Sequence, residues 1–470
     1  MIKADLNWMS EALNTQVQKA SDSEKLLSVK QISTDSRTIE DGQVFLALKG
    51  PNFDGHKFVQ QVADKGAIAV VVDHLVDVDI PQLVVPNTLK ALGALGAAVA
   101  REVNAKTIAV TGSVGKTSVK EMCAAILKEK GQVLATAGNF NNEIGVPLTL
   151  LRLEKTHEYA VIELGANHVG EIAYTTDLTR PDVAVLNNVA EAHLEGFGDI
   201  FGVVRAKGEI FGGLPKDGVA IVNGDSDYKQ QWLDALDKRF TGTKGQTIQF
   251  SLNNSGQDSG DYFVAQNVSL DSTGCALFEL KFQEQVSEIK LGVPGTHNVA
   301  NALAAAAACY AIGATFDEIK QGLMNMDAVK GRVNLNPVSD KLLVIDDSYN
   351  ANVQSVKAAI DLLTSYQGNR ILVLGDMAEL GHESRRLHQE VGEYALEMGI
   401  EHLYSFGVLS QCASSVFEQA GTHFSSKQSL IEQINQQIAE SSSSTTVLIK
   451  GSRSAKMELV VQQLVEDNSK

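Results

Sequence analysis

Apolar residues in this chain gather in short unbroken runs, separated by stretches in which they recur every three or four positions. That alternation predicts strands that are buried on both faces and linked by amphipathic helices. Between about Leu27 and Val85 the runs "VFLAL" and "AIAVVVD" flank the helical pattern "FVQQVADKG", which predicts a small α/β unit. "TLKALGALGAAVARE" reads as a helix, and the strand "KTIAV" from Lys106 opens a second unit, so the first boundary is placed near Asn104. Strand runs return at "YAVIEL", "VAVLNN" and "GVAIVNGD" with helical spacers, the pattern of a parallel sheet with helical crossovers. Between Phe250 and Leu291 the period drops to two in "YFVAQNVSL" and "CALFELKF", which suggests antiparallel strands on the same domain. After "KGRVN" a third series follows, with strands at "LLVIDD", "ILVLGD", "HLYSFG" and "TVLIKGS". The predicted fold class is α/β in three domains. Residues 1–104 form a small α/β domain, 105–330 a central Rossmann-like domain with a parallel sheet plus antiparallel strands, and 331–470 a C-terminal Rossmann-like domain.

Composition narrows the function classes. A chain of 470 residues exceeds one hydrophobic core, and 44% hydrophobic with 21% charged residues is ordinary for a folded soluble protein. The net charge of −17 argues against nucleic acid and anionic membrane surfaces as partners. The longest apolar run, "ALAAAAACYAIGA" from Ala302, is too short and too rich in alanine to cross a bilayer, and the N-terminus carries no apolar leader, so no membrane insertion is expected. Four cysteines, Cys123, Cys275, Cys309 and Cys412, show no paired spacing, which fits a reducing cytoplasm rather than a zinc or disulfide framework.

The chemistry begins at "TIAVTGSVGKTSVKEM", where a strand, a glycine-bearing turn and Lys-Thr opening a helix follow one another from Thr107. This is the arrangement of a P-loop, in which backbone N–H groups and a helix N-terminus meet phosphate oxygens. Gly112, Ser113, Val114, Gly115, Lys116, Thr117 and Ser118 are the expected ATP-binding residues, with Lys116 along the β and γ phosphates and the Thr117 hydroxyl on Mg²⁺. Val110 stands where the strict pattern has its first glycine, which marks a subfamily. Glu163 ends the strand "YAVIEL" and offers a further hard oxygen ligand, or alternatively caps the helix that follows. His193 follows another strand end, in "NNVAEAHLEGFG", and Lys207 lies in "RAKGEIF"; read alone they are a structural histidine and a solvated lysine.

Together these segments resemble the Mur ligases, the ATP-dependent amide-forming enzymes of peptidoglycan synthesis. "GNFNNEIGVPLTLL", "ELGANHVGEI", "GTHNVANALAA", Gly331-Arg332, "DDSYNAN" and "LGDMAELG" fall in the family's order across almost the whole chain. The segments "DDSYNAN" and "KGSRSAKME" are similar to the branch that joins D-alanyl-D-alanine to UDP-N-acetylmuramoyl-tripeptide, and that resemblance implies both molecules as partners of a monomeric enzyme. It implies a central ATPase domain that holds ATP and two Mg²⁺ ions. Thr117 and Glu163 would serve the ATP-bound ion, and His193 and a carbamylated Lys207 the second. Asn298 and Asn301 are implied for adenine, Arg332 for the γ-phosphate and Asp347 for the ribose, with Lys116, Lys207, His193 and Arg332 as the catalytic set. Asp35, Ser36 and Arg37 match the segment holding the uridine diphosphate; Asn139, Asn141 and Asn142 would hold the acceptor end, and Tyr349 and Asn350 the dipeptide. Val353 replaces the proline that usually follows "NAN", which puts the local turn in question. Two alternatives stay open at this point: a folylpolyglutamate-type amide ligase, which lacks the N-terminal uridine-nucleotide domain, and a P-loop nucleotide switch with no ligase activity.

Overall fold

The computed structural model describes residues 2–191, 194–253, 262–326 and 329–469. Three sheets organise the chain. The N-terminal one has five strands in the order Val17–Gln18, Gln82–Val84, Ala69–Val72, Val44–Leu46 and Ile32–Ser33, all parallel except the first pairing. Phe45, Leu46 and Val70 to Val72 are fully buried, as an unbroken apolar run requires.

The helix Thr88–Val103, begun by the Asn87 side chain on the Lys90 N–H (2.9 Å), packs mainly on helices Gly145–Leu150 and Glu171–Thr179 of the second unit. Its two glycines explain the closeness. A Cβ on Gly93 would stand 2.3 Å from the Tyr174 hydroxyl, and one on Gly96 2.9 Å from the Pro147 carbonyl. The residue-104 boundary therefore falls at the end of a helix that clamps the first unit to the second.

The central sheet has nine strands in the order Val133–Ala135, Tyr159–Glu163, Lys106–Thr111, Val183–Leu186, Val219–Asn223, Gln246–Ser251, Tyr262–Leu270, Cys275–Phe282 and Gln285–Pro294. Pairing is parallel through Tyr262–Leu270 and antiparallel beyond it. The expected antiparallel addition is present, but its first strand enters the sheet in the parallel sense. Strands Val133–Ala135 and Gln246–Ser251, too short or too polar to stand out in the sequence, complete the sheet. Because Lys106–Thr111 lies between strands that follow it in the chain, connections leave it in both directions and open a crevice at its C-terminal end.

The alanine-rich run from Ala302 that is too short to cross a bilayer lies in helix His297–Ala311, with Ala302 to Ala308 wholly inside. Small side chains let it lie close against the phosphate-loop helix Lys116–Lys128. The next helix, Phe316–Met324, approaches through Gly322, where a Cβ would come within 2.3 Å of the Ile126 Cα. Such packing excludes larger side chains and holds the loop helix rigidly.

The C-terminal sheet runs Asn334–Ser339, Leu342–Asp347, Thr445–Lys450, Asn369–Gly375, His402–Phe406 and Gly421–Phe424, parallel except for its first pairing. Val353 resolves the question raised by the missing proline. It is the first residue of helix Val353–Thr364, a position that proline favours but does not require, and the Asn352–Ser355 capping box starts the helix without it. Among the described residues, no helix is long and apolar enough to cross a membrane.

Candidate active site

The strand Lys106–Thr111 delivers the chain into the crevice, where Gly115 turns it with φ +78° at the start of helix Lys116–Lys128. Side chains from the next strand's end set the loop's shape. Asn188 clasps Val114, its Oδ1 accepting the Val114 N–H (2.9 Å) and its Nδ2 donating to the Val114 carbonyl (3.0 Å). Ser113 Oγ donates to the Ala190 carbonyl (3.2 Å) and accepts the Ala190 N–H (2.9 Å). Lys116 curls over the loop, donating to the carbonyls of Gly112 (2.7 Å) and Ser113 (3.3 Å). Loss of hydration lowers its pKa and the Arg332 charge adds to that, while Glu163 opposes both.

At the head of the helix, Thr117 Oγ1 donates to Glu163 Oε2 (2.9 Å), and Asn141 Nδ2 donates to the other oxygen of the same carboxylate (2.8 Å). Glu163 thus faces the head of the phosphate-loop helix instead of capping the helix that follows it, with its N–H held by Thr136 Oγ1 (3.0 Å). Arg332, arriving from the third domain, donates from Nη2 to Thr117 Oγ1 (3.0 Å). Thr117 and Glu163 supply two buried hard oxygens side by side, and this donor set fits Mg²⁺.

Lys207 is not a solvated lysine. Its side chain is 1% exposed, on helix Ile200–Gly208, with Nζ 5.4 Å above the Phe197 ring. Burial, then the Lys116 charge, bring its pKa down to about 7, against the pull of Glu171, Glu209 and Glu163. His193 lies outside the described residues.

On the other side of the loop a cavity of 240 Å³ is lined by Asn298, Asn301, Asn187, Arg332, Asp347 and Lys450, among others. The amides form a chain: Asn298 Nδ2 donates to the Pro294 carbonyl (2.7 Å), Asn301 Nδ2 to Asn298 Oδ1 (2.9 Å), and Asn187 Nδ2 to Asn301 Oδ1 (2.9 Å). Asp347 accepts from Lys450 Nζ (2.6 Å) in a buried pair that also binds the Asn350 carbonyl (3.0 Å). The cavity closes only because the third domain supplies one wall.

A phosphate loop, a hard-oxygen pair and an arginine from a following domain meet here in one crevice. Sequence models of the Mur ligase family match in the same order: its catalytic domain at residues 28–130, its middle domain at 110–309 and its glutamate ligase domain at 331–453. The chain belongs to the Mur ligase family. It is 46% identical to the UDP-N-acetylmuramoyl-tripeptide–D-alanyl-D-alanine ligase of Escherichia coli, over 100% of both chains. Its fold matches the crystal structure of MurF from Acinetobacter baumannii with TM-score 0.90, 36% identity and 99% coverage of each chain. It also matches MurF from Thermotoga maritima in complex with ADP, with TM-score 0.81 and 27% identity over 95% of this chain and 99% of that one.

In this Mur ligase a second cleft, of 630 Å³, opens on the far side of Thr117 between the central and C-terminal domains. Asn139 and Tyr349 line it, with Lys120, Arg332 and Arg453. The Tyr349 ring lies 4.6 Å under the Arg332 guanidinium, and its N–H is held by the Gly331 carbonyl (3.0 Å), which fixes the arginine at the hinge. The three asparagines of "GNFNN" divide. Asn139 faces the cleft, Asn141 holds Glu163, and Asn142 Oδ1 accepts the Gly145 N–H (2.8 Å) at the start of the next helix. Asn350 is exposed beside the Asp347–Lys450 pair.

In the N-terminal domain Arg37 grips Asp35 through Nε (2.9 Å) and Nη2 (2.7 Å), while Lys65 holds the Ser36 carbonyl (3.0 Å). The Arg37 contacts bring the Asp35 carboxyl down to about 2. The guanidinium remains mostly exposed and available to a ligand.

Asn187, Asn188, Lys450 and Lys120 lie in segments singled out in the sequence, but none was given a role there. The two asparagines end a parallel strand, "VAVLNN", and that position was a usable signal; the lysines lie in quoted motifs, but nothing local points to their partners.

Proposed function

We propose that this Mur ligase joins D-alanyl-D-alanine to UDP-N-acetylmuramoyl-tripeptide, with ATP hydrolysed to ADP and phosphate, in the cytoplasm. The observation that carries the proposal is the Thr117–Glu163–Arg332 contact, in which residues of two domains converge on the end of the phosphate loop, in a chain 46% identical throughout to a ligase of that name.

Lys116 and the loop N–H groups hold the β and γ phosphates, and Arg332 reaches the γ-phosphoryl group as the third domain closes. The acceptor's terminal carboxylate takes that group from ATP, giving an acyl phosphate and ADP. Phosphorylation is needed because a carboxylate is a poor electrophile at neutral pH. The dipeptide amine then attacks the carbonyl carbon, loses a proton and expels inorganic phosphate. The closed cleft keeps water from the acyl phosphate. When bound, Mg²⁺ offsets negative charge on the transferring oxygens.

Two ions are proposed, the first on Thr117 and Glu163 and the second on His193 and Lys207. Lys207 would join the set as a carbamate, formed when its neutral amine adds to carbon dioxide and releases a proton. Burial and the Lys116 charge lower the pKa of this amine to about 7, which favours the neutral form that the addition needs. Asn298 and Asn301 are assigned to adenine, Asp347 to the ribose, and Asp35, Ser36 and Arg37 to the uridine diphosphate. The enzyme is proposed to act as a monomer.

The test is ADP release by the purified protein with the UDP-tripeptide and the dipeptide supplied singly and together. Release that requires the UDP-tripeptide and rises on adding the dipeptide supports the ligase; release indifferent to both, or none at all, refutes it and leaves a nucleotide switch. Substituting a folate and glutamate for these substrates separates the folylpolyglutamate-type ligase.

A further inference from the structure

Lys120 stands one turn beyond Lys116 on the phosphate-loop helix, on the side of Thr117 that faces the 630 Å³ cleft. Its side chain is 1% exposed, yet it lines that cleft together with Thr117, Asn139 and Arg332. Among the described residues its Nζ donates to two acceptors, the Thr136 carbonyl (2.6 Å) and Glu121 Oε1 (2.5 Å). An ammonium has three N–H donors, and a buried charge is stable only when its donors are met. Two acceptors fix the amine in place and leave the third donor for whatever enters the cleft.

The same contacts tie Lys120 to the metal-side geometry. Thr136 Oγ1 accepts the Glu163 N–H (3.0 Å), and the loop that follows carries Asn139 into the cleft and Asn141 onto Glu163. An amine anchored to this frame cannot drift relative to Thr117. Lys116 thus lies on the nucleotide loop, while Lys120 lines the cleft beside its partner Glu121, with Arg332 as a further cation there.

We propose that Lys120 receives the acceptor's reacting carboxylate, pairing with it through the free N–H and holding one oxygen toward the γ-phosphoryl group. Lys116 then serves the donor and Lys120 the acceptor of the same phosphoryl transfer. This rests on the ligase reading above, and the experiment separates the two.

Binding of UDP-N-acetylmuramoyl-tripeptide and of its analogue with the reacting carboxylate replaced by a carboxamide is measured by calorimetry, in the presence of ADP, for the wild type, Lys120→Met, Lys120→Gln and Lys120→Arg. A charge-assisted contact predicts that the wild type prefers the carboxylate by roughly 10- to 100-fold, that Lys120→Met loses most of that preference, and that Lys120→Arg keeps part of it. ADP affinity near the wild-type value in each variant establishes that the phosphate loop is intact. If Lys120 only anchors the loop at Thr136, both ligands weaken together and the preference survives in Lys120→Met, which overturns the proposal. A Lys120→Met variant that fails to bind ADP hands the decision to Lys120→Gln, which keeps polar donors but no charge; an unchanged carboxylate preference there with weakened binding of both ligands also overturns it. Wild-type protein that binds neither UDP ligand refutes the ligase reading itself, a result distinct from the loss of preference in one variant.

Discussion

Gly115→Ala should damage nucleotide binding well beyond what its backbone angle accounts for. Gly115 has φ +78°, so any side chain there meets the left-handed penalty of about 1 kcal/mol. Gly242, on a turn far along the same domain, has φ +70° and no atom within 4 Å of an added Cβ, so Gly242→Ala isolates that penalty. At Gly115 the same methyl would lie 2.3 Å from Asn301 Oδ1 and 2.6 Å from Asn187 Nδ2. Both are less than contact distance, and both atoms belong to the 2.9 Å hydrogen bond that joins these amides. Relief requires parting the amides, and an unpaired buried polar group costs about 1–3 kcal/mol. The total for Gly115→Ala is then about 2–4 kcal/mol against about 1 for Gly242→Ala. Urea unfolding measures the stability difference. Calorimetry with ADP should show a loss of roughly tenfold or more for Gly115→Ala and no change for Gly242→Ala, since each 1.4 kcal/mol is tenfold in affinity. Equal stability losses and equal ADP affinities in the two variants would refute the role assigned to the amide chain.

Lys207→Ala should lower turnover by orders of magnitude while ADP still binds, and acetate or propionate at matched ionic strength should restore part of it by supplying an anionic oxygen; near-wild-type turnover would exclude Lys207 from the site. Arg37→Ala should weaken the UDP-substrate by roughly tenfold or more with ADP affinity retained, because a charge-assisted contact is lost at the far end of the ligand; unchanged calorimetry would remove Arg37 from the uridine-diphosphate site. His388 is buried, with Nε2 accepting the Met377 N–H (2.8 Å) and Nδ1 on the Ser384 carbonyl (2.6 Å), and burial lowers its pKa. The unfolded imidazole takes up its proton near pH 6.5 and the folded one only at lower pH, so the unfolded state binds more protons as pH falls and stability declines below about 6.5. Replacing it by His388→Gln should flatten the urea midpoint between pH 7 and pH 5, by up to about 1.4 kcal/mol per pH unit of slope removed; an unaltered slope would count against His388 as its source.

What the sequence determined by itself is what lies within a few residues of the chain. The phosphate loop was legible because strand, turn and helix follow in order from Lys106 to Lys128, although the crowding of Gly115 by Asn301 and Asn187 was not. Burial of the run around Val70 followed from its unbroken apolar residues, and the three-domain order from the recurrence of strand and helix patterns. Glu163 was marked by its place at a strand end, and family motifs added Arg332 and Asp347, because their order along the chain can be matched without knowing their partners. The partners themselves were decided by tertiary structure. Thr117 meets Glu163 46 residues away, Asp347 meets Lys450 across 103, Asn187 meets Asn301 across 114, and Arg332 returns to Thr117 across 215. Periodicity states which face of a strand is buried, but the central strand Lys106–Thr111 lies between strands that come later, so adjacency in the sheet is not adjacency in the chain. Lys120 is the clearest instance: in the sequence it is an ordinary polar position of an amphipathic helix, and only the packing of the Thr136 loop and the third domain's arrival turn it into a buried charge on a cleft.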